Sequence, residues 1–139
     1  MSMIDFKLVE NQLSAEDFLR LKVATGFRNR PIEQVEQALK NDLLDVVAIV
    51  NKDVVGMGRL VGDGAMYWCW YLQEIIVLPE YQGNGIGTSI VNYLLEYIKE
   101  HTANGNFTSV GLAAAEGKET FYERFGFHKN NGMNLYVEN

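Results

Sequence analysis

The 139-residue sequence predicts one mixed α/β domain, a central and mostly antiparallel sheet of about six or seven strands flanked by about four helices. Two short turns, "NKD" and "GDG", join apolar runs between residues 46 and 78. Connections this short suit antiparallel neighbours, because a parallel pair needs a crossover of about a dozen residues or more. Further on, Ile86, Ile90, Leu94 and Ile98 recur every fourth position, which marks a helix with one buried stripe. No repeat, low-complexity tract or linker interrupts the chain, so residues 1–139 are expected to fold as a single domain.

The elements follow in order. "IDFKLV" alternates as a first strand does, and Ser14 with Asp17 three positions later offers a capping box for a helix that turns Phe18, Leu21 and Ala24 inward. Pro31 suits the first turn of a second helix, whose stripe is Ile32, Val35 and Leu39. Strands are expected over Val46 to Val50, Val54 to Val61 and about Met66 to Leu78, all rich in branched and aromatic residues. The helix from Gly85 ends near "HTANGN", with Val91 and Leu95 widening its stripe. "FTSVGLAA" is then a strand parallel to the long one, since a helix separates the two. A short helix, "KETFYERF", is closed by Gly126 as a left-handed cap, and "GFHK" and "MNLYVE" flank "NNG" as a hairpin.

Composition narrows the function. With 47% hydrophobic residues the chain can bury a core without staples, and its single cysteine, Cys69, precludes an internal disulfide and any multi-thiolate metal site. The expected metal content is none. A net charge of −6 with scattered basic residues argues against nucleic acid as a partner. No apolar run approaches the ~20 residues of a membrane span and the opening lacks a signal-peptide pattern, so the expected setting is the cytoplasm, away from membranes.

The sharpest local signal is "EYQGNGIG", residues 80–87, after the apolar run "EIIVLP". A dinucleotide fingerprint is a poor match, because Thr88 stands where its third glycine belongs and no acidic residue follows at a strand end. A phosphate-binding G-K-[ST] tripeptide is absent altogether. Two readings stay open on the glycines alone: a plain tight turn, or a helix N-terminus whose free N–H groups and dipole receive an anion.

Neighbouring residues add to the glycines. Gln82, Gly85 and Gly87 spell Q-x-x-G-x-G after "IIVLPEY", and "FYERFGF" follows about 35 residues later. With these motifs and its order of elements, the chain resembles the GNAT superfamily of N-acetyltransferases over nearly its whole length. The resemblance implies acetyl-CoA as co-substrate, with no metal. The backbone of Ile75, Ile76 and Val77 would pair with the pantetheine arm, and Gln82, Gly83, Asn84, Gly85, Ile86, Gly87 and Thr88 would cradle the pyrophosphate. Val77 or a near neighbour would lend its N–H to the oxyanion, and Tyr122 would return a proton to the departing thiolate.

Glu74 adjoins the triplet and is the one acidic residue on the long strand, so it is the candidate base. A surface charge or structural acceptor is the equal alternative for it. Where some histone-acetylating members carry a glutamate, Tyr71 stands here. "TGFRNRP" lies where the family builds its acceptor wall, which makes Phe27, Arg28 and Arg30 candidates for substrate contact alongside Tyr71. His101 and His128 are singly placed, and Cys69, Trp68 and Trp70 read as packing residues. The implied activity is acetyl transfer to the amine of a small molecule. The alternatives are acetylation of a protein or peptide amine, and an acyl-CoA-binding module that senses without catalysis. Chains of this size in that family are often homodimers, so a second copy is among the expected partners.

Overall fold

The computed structural model describes residues 4–65 and 70–138. Strand β1 (Lys7–Glu10) leads to helices α1 (Ala15–Ala24) and α2 (Ile32–Lys40), then to strands β2 (Leu44–Val50), β3 (Asp53–Val61) and β4 (Trp70–Val77). Helix α3 (Ile86–Glu100), strand β5 (Val110–Leu112) and helix α4 (Glu119–Glu123) complete the order. The sheet runs β1-β2-β3-β4-β5, antiparallel except for the parallel β4–β5 pair. The mixed, mostly antiparallel architecture with four helices is therefore the one expected.

Local chemistry explains most boundaries. Ser14 Oγ accepts the Asp17 N–H at 3.1 Å and starts α1. Asn51 and Lys52 both adopt positive φ, the two-residue turn whose twist matches that of antiparallel strands. On α3, Ile86, Ile90, Val91, Leu94 and Ile98 are all buried. Two inward assignments are corrected: Ala24 is exposed and borders a cavity, and Ile32 is 37% exposed on α2.

Glycines in β3 set how closely α3 approaches. A Cβ placed on Gly58 would sit 2.5 Å from Ile90 Cγ2, and one on Gly56 would sit 3.2 Å from Ile86 Cγ2. The next residue, Arg59, turns to the other face, where its guanidinium carbon lies 5.8 Å from the Phe18 ring of α1. Helices therefore cover both faces of β3 and trap its side chains in one core.

The C-terminal end departs from expectation. Among the described residues the sheet has five strands, not six or seven: "GFHK" and "MNLYVE" form no hairpin, and residues 128–138 run exposed. The "NNG" turn signal is local, and a two-stranded hairpin without a packed face is marginal in water. Strand β5 is also shorter than "FTSVGLAA" suggested. The expected start of the long strand at Met66 lies outside the described residues, as do Trp68 and Cys69.

Candidate active site

A break in the β3–β4 ladder organises the site. Met57 pairs with Ile76 and Arg59 with Gln73, so Glu74 and Ile75 together face Gly58. This is a β-bulge, and Glu74 is its bent residue, at φ +56° in the left-handed region that side-chain-bearing residues avoid. Such a conformation persists only where its surroundings hold it. Here Glu74 Oε2 lies 2.9 Å from Lys22 Nζ on α1, and Oε1 lies 3.9 Å from Arg59 Nη1 on β3.

Arg59 is itself anchored. Its Nη2 donates to Asp42 Oδ1 at 2.7 Å and its Nε to Asp42 Oδ2 at 3.1 Å, a two-pronged grip on one carboxylate. Burial pushes the Asp42 carboxyl above its ordinary pKa, and the Glu74 charge adds to the rise. The Arg59 hydrogen bond and charge pull the other way without overcoming it. Lys22 Nζ also stands 4.4 Å from the centre of the Phe27 ring. A chain of four alternating charges thus ties α1, β3 and the loop after α2 to the bulge.

Past the bulge, β4 parts from its neighbour. Among the described residues β5 pairs with β4 only at Trp70, Tyr71 and Leu72, so the sheet does not cover the edge at Ile75–Val77. That edge opens into a cavity of about 810 Å³ lined by Phe27, Ile75, Ile76, Val77, the glycine loop and Tyr122, among others. Uncovered strand backbone offers N–H and C=O groups to any extended amide chain.

The glycine loop folds as a tight turn into α3. A 3₁₀ turn at Pro79–Tyr81 precedes it, and Gly83 and Gly85 sit at φ +82° and +81°. A Cβ added to either would meet nothing within 4 Å, so the loop backbone lies open. Gln82 Nε2 donates to the Val77 carbonyl at 2.9 Å, and Asn84 Nδ2 donates to the Tyr81 carbonyl at 3.0 Å. These two side chains brace the turn. Gly85 is the N-cap of α3 with no side-chain cap, so nothing in the cap competes for the N–H groups of the first turn. The loop is thus a tight turn whose outer backbone is open.

Tyr122 lies on α4 and borders this cavity together with a smaller one of about 290 Å³ beside β5. Its ring meets Phe121 and Phe127 edge-on. Burial raises its phenol pKa above the ordinary value.

The other candidates scatter. Every named loop and strand residue from Ile75 to Thr88 borders the large cavity except Asn84, which braces from behind. Of the acceptor-side residues only Phe27 does so: Arg28, Arg30 and Tyr71 are not on its wall. Trp70 is buried and meets Tyr97 edge-on, while His101 stacks on Tyr97. His128 borders the smaller cavity. Lys22, Arg59 and Asp42 were not anticipated, since Lys22 meets Glu74 across 52 positions. Glycines inside a strand pattern were the one available signal of close packing at β3. Among the described residues no cluster of His, Cys, Asp and Glu could hold a metal, and no helix is long and apolar enough to cross a membrane.

Comparison with known proteins bears on this arrangement. The family described as acetyltransferase (GNAT) domain matches residues 44–129. An uncharacterized N-acetyltransferase, ycf52, of Pyropia yezoensis is 26% identical over 77% of the chain, which spans 60% of that relative's length. The structure of a GNAT-family acetyltransferase from Streptococcus pneumoniae is 34% identical, with a TM-score of 0.78, covering 97% of this chain and 100% of its own. A probable acetyltransferase from Staphylococcus aureus is 27% identical, with a TM-score of 0.85 over 97% and 100% of the two chains.

Proposed function

Because the chain belongs to the GNAT acetyltransferase family, we propose that it transfers an acetyl group from acetyl-CoA to the amine of a small molecule by direct attack on the thioester. The observation that carries this is the large cavity, which joins an uncovered strand edge, an anion-ready loop and a half-buried phenol. Those parts fit the cofactor's amide arm, its pyrophosphate and its leaving thiolate in turn. Acetyl-CoA supplies the activated acyl group, and the chain supplies the rest.

The backbone of Ile75–Val77 holds the pantetheine amides as an added strand. The loop from Gln82 to Thr88 presents N–H groups and the positive end of α3 to the phosphates. The N–H of Val77 or a near neighbour donates to the developing oxyanion. Tyr122 gives its proton to the thiolate. Transfer from a phenol, ordinarily at pKa ~10, to a thiolate whose thiol is ordinarily at ~8.5 is uphill, and the burial of Tyr122 adds to that difference. Glu74 receives the acceptor's proton, directly or through a water, and an incoming ammonium then competes with Lys22 for its carboxylate. Phe27 forms part of the acceptor wall. The working form is a protein of the cytoplasm.

The test is a thiol-release screen with acetyl-CoA over polyamines, aminoglycosides, amino acids and peptides, paired with calorimetric CoA binding. Turnover with a small amine is the expected result. Turnover with peptides alone would move the acceptor to a protein amine. Intact CoA binding with no turnover on any acceptor would make the chain a sensing module.

A further inference from the structure

Asp42 borders a second cavity of about 490 Å³, between the start of α1 and the end of α2, which shares no lining residue with the large one. Its link to the site is Arg59, whose donors form a rigid fork. Asp42, with a side chain 3% exposed, occupies one edge of that fork: Nε lies 3.0 Å and Nη2 2.7 Å from Oδ1. Nη1 is the nitrogen turned to Glu74, and at 3.9 Å from Oε1 it stands beyond hydrogen-bond range. Lys22 holds the other oxygen, Oε2, at 2.9 Å. Oε1 is therefore the oxygen left to take a proton.

The surrounding charges agree with that division. Burial pushes the Asp45 carboxyl above its ordinary pKa, the Leu13 N–H opposes this, the Asp42 charge adds to the rise and Arg59 again opposes it. Arg20, the other cation of α1, is turned to Asp17 and the Val54 carbonyl. On the far face of β3, α3 presents the apolar Ile86, Ile90 and Leu94. Two buried carboxylates, Asp42 and Asp45, thus compete with Glu74 for one guanidinium.

We propose that Asp42 is a positioning residue for Glu74: by gripping one edge of the Arg59 fork it keeps the guanidinium from closing on Oε1, which leaves that oxygen free to receive the acceptor's proton. A carboxylate gripped by two cations holds its charge to lower pH and takes up protons less readily. Without the Asp42 charge, Arg59 needs to close less than 1.5 Å to complete that grip on Glu74. The consequence for proton transfer rests on the acetyl-transfer reading, but the placement of Arg59 does not.

The experiment uses full-length chains and begins without turnover. Urea unfolding is measured for wild type, Asp42→Asn, Glu74→Gln and the double variant. Once Arg59 has moved onto Glu74, loss of that carboxylate matters more, so Glu74→Gln should raise the unfolding constant at least about fivefold more in the Asp42→Asn background than in wild type. Additive effects overturn the proposal. Should Asp42→Asn not fold, wild type and Glu74→Gln decide between them: the ¹⁵N signal of the Arg59 Nε–H should coincide in the two, because Asp42 fixes it, and a signal that moves overturns the proposal.

Kinetics then test the consequence. In Asp42→Asn the acid limb of kcat against pH should move down by about one unit or more, with a plateau about tenfold lower and unchanged CoA affinity. Asp42→Glu, which restores the charge, should return the limb to its wild-type place. A merely structural Asp42 would lower stability and leave the limb where it was, and that result also overturns the proposal. Coupled unfolding in a protein whose Glu74→Gln variant keeps wild-type kcat would leave the placement of Arg59 standing and defeat only the reading of Glu74 as the base.

Discussion

Lys22 Nζ lies 2.9 Å from Glu74 Oε2, across a gap of 52 positions in the sequence, with both side chains less than one-fifth exposed. Glu74 is at once the bent residue of the β4 bulge and the residue directly before the uncovered Ile75–Val77 edge, although it is not itself on the wall of the large cavity. The ion pair therefore has two effects. It helps hold a left-handed glutamate in place, and in the proposed reaction it occupies the carboxylate that an acceptor amine would use.

Those effects separate in mutants. Glu74→Gln keeps a side chain able to reach Lys22 but removes the proton acceptor. If Glu74 is the base, kcat should fall by about 10²–10⁴-fold with CoA affinity held. Lys22→Met frees the carboxylate and should lower KM for a cationic acceptor while kcat changes little. Steady-state kinetics at saturating acetyl-CoA read both. Wild-type kcat in Glu74→Gln would reduce Glu74 to a structural acceptor.

The Tyr122 proposal predicts a pH profile. Burial raises the phenol above its ordinary value of about 10, which favours the neutral, proton-bearing form. The acid is thus intact through neutral pH and is lost only above the range in which an ordinary phenol ionises. Tyr122→Phe should lower kcat by about 10²-fold or more and erase any alkaline limb, while calorimetric CoA affinity stays near wild type. An unchanged kcat would remove Tyr122 from the chemistry.

Gly85 tests the cradle. At φ +81° a side chain costs about 1–2 kcal/mol in backbone strain alone. A Cβ there meets no protein atom, so the protein itself leaves that space free. Gly85→Val should weaken CoA binding by tenfold or more while barely affecting phosphate-free ligands such as small amines. Calorimetry that gives wild-type CoA affinity for this variant would return the loop to a plain turn.

How far the sequence led depends on the range of the interactions involved. The α3 stripe, the Ser14 cap, the two-residue turn at Asn51 and the glycine loop all rest on residues a few positions apart, and all were legible. The Q-x-x-G-x-G spacing and Tyr122 led to one cavity because the element order itself was readable. The bulge at Glu74 was not, since no residue type announces a left-handed glutamate and its support comes from α1 and β3. At the C-terminus the reverse holds: "NNG" is a sound turn signal, but a hairpin also needs a face to pack on, and residues 128–138 lie exposed without one.

Gly58 carries the last prediction, one of stability and not of chemistry. Its missing side chain is what lets α3 lie against β3, with Ile90 Cγ2 2.5 Å from the position a Cβ would take and Ile75 Cδ1 at 3.0 Å. Both neighbours are branched, and Ile90 is fully buried, so relief requires a shift of the helix and not of one side-chain tip. Gly58→Ala should then cost roughly 1–3 kcal/mol, as overpacking does, outweighing the few tenths to one that removing a glycine from a strand ordinarily returns. The melting temperature should fall by several degrees. Since Ile75 belongs to the cavity wall, CoA affinity should drop with it, and that coupling distinguishes a helix pushed off the sheet from a simple loss of stability. A variant as stable as wild type would mean that α3 has room to yield.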